Sequence, residues 1–205
     1  MEVYWIIFAI VGFGIFIPID GFATYYSSEI KWDISTLEEI PVVIVTDTKL
    51  PSKTIDHVKD VVLSEQSYNI DGFVSYFGWN GIIENMNNWG NGFSFPKLTI
   101  SETGDRKNSV TIYLTKNVDP HGAHGDTKLI LDENEIVGAV ITIYEADTFT
   151  KSQITNVVRH ELGHALGLKH CSNPDELMNE VIVPDKFLTG HEGYHLVTLY
   201  LTSQI

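Results

Sequence analysis

Residues 160–170 read His160-Glu161-Leu162-Gly163-His164-Ala165-Leu166-Gly167-Leu168-Lys169-His170. His160 and His164 are four apart, so on a helix their rings stand on one face, one turn from each other. Two imidazoles so placed share one Zn2+ at about 2.0–2.1 Å each. Glu161 stands on the flank of that face, within reach of a water held on the metal. A catalytic zinc takes three protein ligands and keeps one position open. A continued helix would carry His170 away from the other two. Gly167 supplies the stop, because glycine enters the left-handed conformation that ends helices without steric penalty. The chain can then turn back and bring His170 to the metal. A lone histidine on an apolar helix is ordinarily a hydrogen-bonded core residue. That reading does not account for three histidines and a glycine in one short run.

Working outward, Thr150-Lys151-Ser152-Gln153 has the form of a capping box. Ile154, Val157, Val158 and Leu162 recur after it at helical spacing, so the helix is expected to run to Leu166 and end at Gly167. Pro41–Asp47 reads as a buried strand, and Ser52–Leu63 as a helix with Ser52 at its N-cap. Asp71–Phe95 is rich in Gly, Asn and aromatics and reads as a long irregular region with at most one strand. Lys97–Ser101 and Ser109–Lys116 are strands with a turn at Thr103–Arg106. Asn117–Thr127 is a loop; Lys128–Leu131 and Ile136–Tyr144 are strands joined by a turn at Asp132–Asn134. A last helix is expected over His191–Leu201, burying Leu196, Leu199 and Tyr200. Strands early and helices late give an α+β layer with a mixed sheet.

The string from His160 to His170 resembles the metzincin zinc-peptidase signature, with all of its defining positions present. Metzincins also carry a methionine turn beneath the zinc. Leu177-Met178 follows Pro174-Asp175-Glu176, and His170–Met178 looks like that stretch in matrixins. The resemblance implies a metzincin-like catalytic domain with a mixed twisted sheet, an active-site helix and a C-terminal helix. It implies one catalytic Zn2+ on His160, His164 and His170, Glu161 as general base, and Met178 packed beneath. Astacins and serralysins place a tyrosine two residues past the methionine, where this chain has Glu180. The strand Ile136–Tyr144 is similar to the family's edge strand, which pairs with an extended substrate. That likeness makes Ile136, Val137, Gly138, Ala139 and Val140 substrate-binding, with Asn179, Glu180 and Val181, on to Val183, as part of the specificity-pocket wall. His191 and His195 of the last helix read as surface or packing residues.

Two family features are out of register. Matrixin latency uses a propeptide cysteine, whereas the one cysteine here, Cys171, directly follows a ligand. Its ordinary reading is a small buried side chain; a redox-sensitive role near the metal is the other. His121, His124, Asp126 and Asp132 stand where matrixins bind a structural Ca2+ or second Zn2+, but at different spacing. They offer such a site or are solvated loop residues.

The bulk composition narrows the partners. The chain has 205 residues, 43% hydrophobic and 20% charged, with a formal net charge of −14. Such a surface repels a phosphate backbone and any basic-patch docking on anionic lipid. One thiol makes no internal disulfide. Val3–Ile19 runs without a charge. It is at the short end for a membrane span, lacks a basic n-region, and reads as an anchor, a cleaved signal or a core element. The expected organisation is residues 1–23 as anchor or signal, 24–37 as linker and 38–205 as a monomeric catalytic domain. It is membrane-anchored and extracytoplasmic, or secreted if the segment is cleaved. The function expected is zinc-dependent endopeptidase action on a peptide or protein. The alternatives are a catalytically silent zinc-containing binding module on a membrane stalk, and a zinc hydrolase of other substrates.

Overall fold

The β-branched runs of the sequence assemble into one sheet. The computed structural model describes residues 5–7, 30–47, 50–88, 94–104, 107–181 and 185–201. In chain order the elements are β1 (Trp5–Ile7), β2 (Lys31–Trp32), β3 (Glu39–Thr46), α1 (Ser52–Leu63), β4 (Ser67–Ile70), β5 (Phe73–Tyr76) and α2 (Trp79–Asn87). There follow β6 (Lys97–Ile100), β7 (Val110–Leu114), β8 (Gly125–Asp132), β9 (Glu135–Ile143), α3 (Lys151–Ala165), β10 (Leu188–Thr189) and α4 (Gly190–Leu201). The main sheet runs β1-β8-β9-β7-β3-β6, with β2 paired to the start of β9. Strands β3, β6, β7 and β9 are parallel, and β8 is antiparallel to β9. This is the expected α+β domain with a mixed sheet.

One face of the sheet carries the core. In β7, Val110, Ile112 and Leu114 are buried while Thr111 and Tyr113 are half-buried. Helix α3 lies against β8 and β9, and α1 packs on α3, β3 and β6. From Ile154 to Ala165 every residue of α3 is buried, as a helix enclosed on all sides must be. A smaller antiparallel sheet, β10-β5-β4, is built on the hairpin turn Asp71-Gly72, where both residues have positive φ.

Several expectations change. Among the described residues of 71–95, the one expected strand is β5, and a helix that was not expected, α2, follows it. Gly and Asn depress helix propensity there, but Trp79, Ile82, Ile83 and Met86 recur at helical spacing and all are buried. Helix α1 has Pro51, not Ser52, at its N-cap, and no side chain bonds the cap. The segment expected as a linker is part of the domain from residue 30 onward. Trp32 is fully buried, and its Nε1 donates to Ala165 O at 2.8 Å.

The edge-strand assignment is corrected. Strand β9 is interior, paired to β7 on one side and β8 on the other. From Ile136 to Ile143 no residue of β9 is exposed, so both faces of the strand are covered as well. Outside β9 lies β8, whose Asp126, Lys128 and Asp132 are the charges expected near a sheet edge, and among the described residues β1 lies beyond it. Strand β1 adds to it in antiparallel register, Trp5 opposite Ile130 and Ile7 opposite Lys128. These three residues are therefore strand; the rest of the Val3–Ile19 run lies outside the described residues. No described helix is long and apolar enough to cross a membrane.

The opposite edge of the sheet is closed by one side chain. Asn80 Nδ2 donates to Leu98 O at 2.8 Å, and Leu98 N donates to Asn80 Oδ1 at 2.9 Å, all of it buried. Removing the amide strands two backbone groups. Asn80→Ala is expected to cost about 2–4 kcal/mol in chemical denaturation; a loss below about 0.5 kcal/mol would contradict this account.

Candidate metal centre

The motif helix is shaped at both ends by local sequence. Thr150 accepts from Gln153 N while Gln153 accepts from Thr150 N, which completes the capping box. At the other end Gly167 has φ +97°. Leu168 N donates to Gly163 O and Gly167 N to His164 O, the paired bonds of a Schellman stop. Trp32 Nε1 and Tyr200 Oη take the carbonyls of Ala165 and Leu166. The helix thus ends where the glycine indicated, and the chain returns.

That return brings His160, His164 and His170 together. Their three Nε2 atoms lie 3.1 Å from one another. His160 Nδ1 donates to Leu177 O and His164 Nδ1 to Leu168 O, each at 2.8 Å. With those protons committed to carbonyls, both Nε2 atoms present lone pairs inward. Lone pairs at this separation, buried, repel unless a cation lies among them. An equal-sided set of three imidazole nitrogens is the base of a tetrahedron that a zinc ion caps. The donor set therefore fits zinc.

Burial also keeps the imidazoles neutral. It pushes His160 down to about 4 and His164 well below its ordinary value, with the neighbouring imidazoles adding to the effect. His170 is lowered by burial too, against the opposing charge of Glu180. The Glu161 carboxyl, one residue along the helix from His160, is buried. Desolvation raises it to about 8, partly offset by a hydrogen bond from the Thr127 hydroxyl.

Beneath the site Met178 is fully buried. A Cβ on Gly163 would overlap the Met178 thioether and the Trp79 ring, so Gly163 is what lets Met178 close up under the helix. A carboxylate not singled out in the sequence completes the support. Glu192, fully buried in the first turn of α4, accepts from Leu177 N at 2.7 Å and Thr189 N at 2.8 Å. Leu177 then turns its carbonyl to His160. An acid in a helix's first turn was the available signal, but nothing local showed that it reached the methionine turn.

Other expected site residues are placed differently. Ile136 and Ala139 are in the core, and Val137, Gly138 and Val140 lie in an interior strand with no free edge for a substrate. Asn179 follows the methionine turn, its Nδ2 donating to Cys171 O. Glu180 lies near His170, and Val181 is 68% exposed; Val183 is outside the described residues. Cys171 is buried, with its N–H on Met178 O. His191 is exposed against Glu176, and His195 is half-buried.

The expected structural Ca2+ or second Zn2+ finds no convergent donors. Among the described residues the triad is the only such group of three or more. Asp126 pairs with Lys128, and Asp132 sits at the far end of extended β8.

The matrixin family model matches residues 94–192. Residues 94–192 are therefore similar to the matrixin family. Over 56 residues the chain is also 43% identical to "Probable matrix metalloproteinase 095L" of Invertebrate iridescent virus 3. That stretch is 27% of this chain and 15% of the viral protein, so the chain spans only a small part of that relative. Matrixins are metallopeptidases and use zinc, in agreement with the donor set.

Protons displace zinc only where they can bind its ligands. The neutral imidazole is the ligand, so competition begins as pH falls toward the lowered values of the folded protein, not at the ordinary value of about 6.5. Zinc added to the protein is expected to survive dialysis at about pH 6 and to leave as pH approaches about 4. Metal analysis showing half the zinc gone already near pH 6.5 would contradict this.

Proposed function

We propose that this protein is a zinc-dependent endopeptidase, with zinc on His160, His164 and His170 and Glu161 as general base. The observation that carries the reading is the triad of mutually facing Nε2 atoms, with a buried carboxyl one residue along the same helix. Zinc bound there supplies Lewis acidity and a water acidified toward neutral pH. Glu161 takes a proton from the attacking water as its oxygen bonds to the scissile carbonyl carbon. The same carboxyl then passes that proton to the leaving nitrogen as the C–N bond breaks. Burial raises its proton affinity in the metal-free protein, and a neighbouring Zn2+ would lower it again, so the group could both accept and return a proton. A site that merely stored metal would have no use for a desolvated carboxyl next to it.

The peptide backbone is read along β8. An extended substrate would add antiparallel to that edge, in the place of β1. The antiparallel pairing of Trp5–Ile7 there supports this, since β1 is itself an extended peptide on that strand. Asn179, Glu180 and Val181 follow the methionine turn and would form part of the pocket wall.

Attachment to a membrane through Val3–Ile19, or secretion after its removal, belongs to the same proposal and rests on that run's apolar sequence. Fractionation of cells expressing the full chain tests it. Recovery in the carbonate-washed membrane pellet or the medium is expected, and recovery in the cytosol alone would refute it.

Digestion of a broad peptide library by the zinc-loaded chain tests the activity. Cleavage abolished by a zinc chelator is expected. Glu161→Ala should keep zinc but lose at least about 100-fold in kcat, since a general base supplies that much or more. An intact zinc site with no cleavage of any peptide would favour the silent binding module.

A further inference from the structure

Strand β8 touches the catalytic machinery with two side-chain positions, and both meet the same group. Thr127 is fully buried, facing α3. Its Oγ1 lies 2.6 Å from Glu161 Oε2 and 3.1 Å from the Glu161 carbonyl oxygen. Two positions earlier on the same face, a Cβ at Gly125 would stand 2.5 Å from Glu161 Oε1 and 2.7 Å from its Cγ. Gly125 does not have a positive φ. Its backbone would accept any residue, so the glycine is required by the space the carboxyl occupies.

We propose that Gly125 and Thr127 form a cradle that positions the Glu161 carboxyl for proton transfer, with Thr127 the positioning residue. This rests on the peptidase reading above. A glutamate side chain has three rotatable bonds, and in a buried site it can turn toward or away from the water. Thr127 holds Oε2, and the missing Cβ of Gly125 admits Oε1 on the other side. That leaves Oε1 as the oxygen that takes the water's proton. Oε2 remains an acceptor whether or not Oε1 carries a proton, so the Thr127 contact outlasts the arrival of that proton. The position of the general base within its reach of the water governs the rate, because small misplacements at such a site are expensive.

Three variants test this on the zinc-loaded full chain. Thr127→Val keeps the shape and removes the hydroxyl. It is expected to lower kcat about 10–100-fold, as loss of an orienting partner does, while KM and zinc content stay near those of the parent. Thr127→Ser should restore most of the rate. Gly125→Ala should lower kcat as Thr127→Val does, with zinc retained. A Thr127→Val protein with parental kcat overturns the proposal, as does Thr127→Ser falling as low as valine. A readout independent of turnover is the zinc-free unfolding midpoint in a double-mutant cycle. Thr127→Val should shift it less when Glu161 is already alanine; equal shifts overturn the cradle. Absence of hydrolysis by the parent chain would instead strike the peptidase reading, while the cycle would still decide the cradle.

Discussion

Three unprotonated imidazole nitrogens held 3.1 Å apart in a buried place are the constraint that the rest of the domain serves. Left to themselves such groups would separate, protonate or turn a ring edge to water. Here each escape is closed. The Nδ1 protons of His160 and His164 are spent on backbone carbonyls, burial disfavours the imidazolium, and the Schellman stop at Gly167 fixes the path that returns His170. The fold thus holds the ligands in a form whose natural complement is a cation.

The supports converge on the same few groups from distant parts of the chain. Glu192 in α4 orders Leu177, and Leu177 orders His160. Trp79 in α2 donates to Arg159 O and packs beside Gly163, where Met178 closes the underside. Trp32 and Tyr200 take the last carbonyls of α3. Each contact also belongs to the hydrophobic core, so the core and the site cannot be varied independently. The buried polar groups in this shell are all engaged, which is what lets them sit there without the penalty of a stranded donor or acceptor.

What could be read in the sequence was whatever is local. The triad, Glu161, the capping box and the glycine stop each depend on spacings of a few residues, and each is found where its spacing put it. The last helix and its buried Leu196, Leu199 and Tyr200 followed from period alone. Helix α2 was legible too, in Trp79, Ile82, Ile83 and Met86, but its glycines and asparagines masked the period. Glu192 and Thr127 were not legible. Each meets its partner across a long stretch of chain, Thr127 touching Glu161 34 positions away, and an isolated acid or threonine announces nothing about such a meeting.

The edge strand shows how a correct pattern can be assigned to the wrong neighbour. Strands β8 and β9 are adjacent in a hairpin, and the likeness to a substrate-pairing edge was attached to the longer and more apolar β9. An edge has one row of backbone groups facing outward and needs charges to discourage aggregation. By that criterion β8, with Asp126 and Lys128, was always the better candidate. Among the described residues, Trp5–Ile7 of β1 engage part of its outer row. Each backbone hydrogen bond is worth about 0.5–1.5 kcal/mol net, so under the proposed reading an extended peptide that also fills side-chain pockets would compete with β1 for this edge. Under the proposed peptidase reading, the edge that holds β1 would be the surface along which a substrate backbone adds.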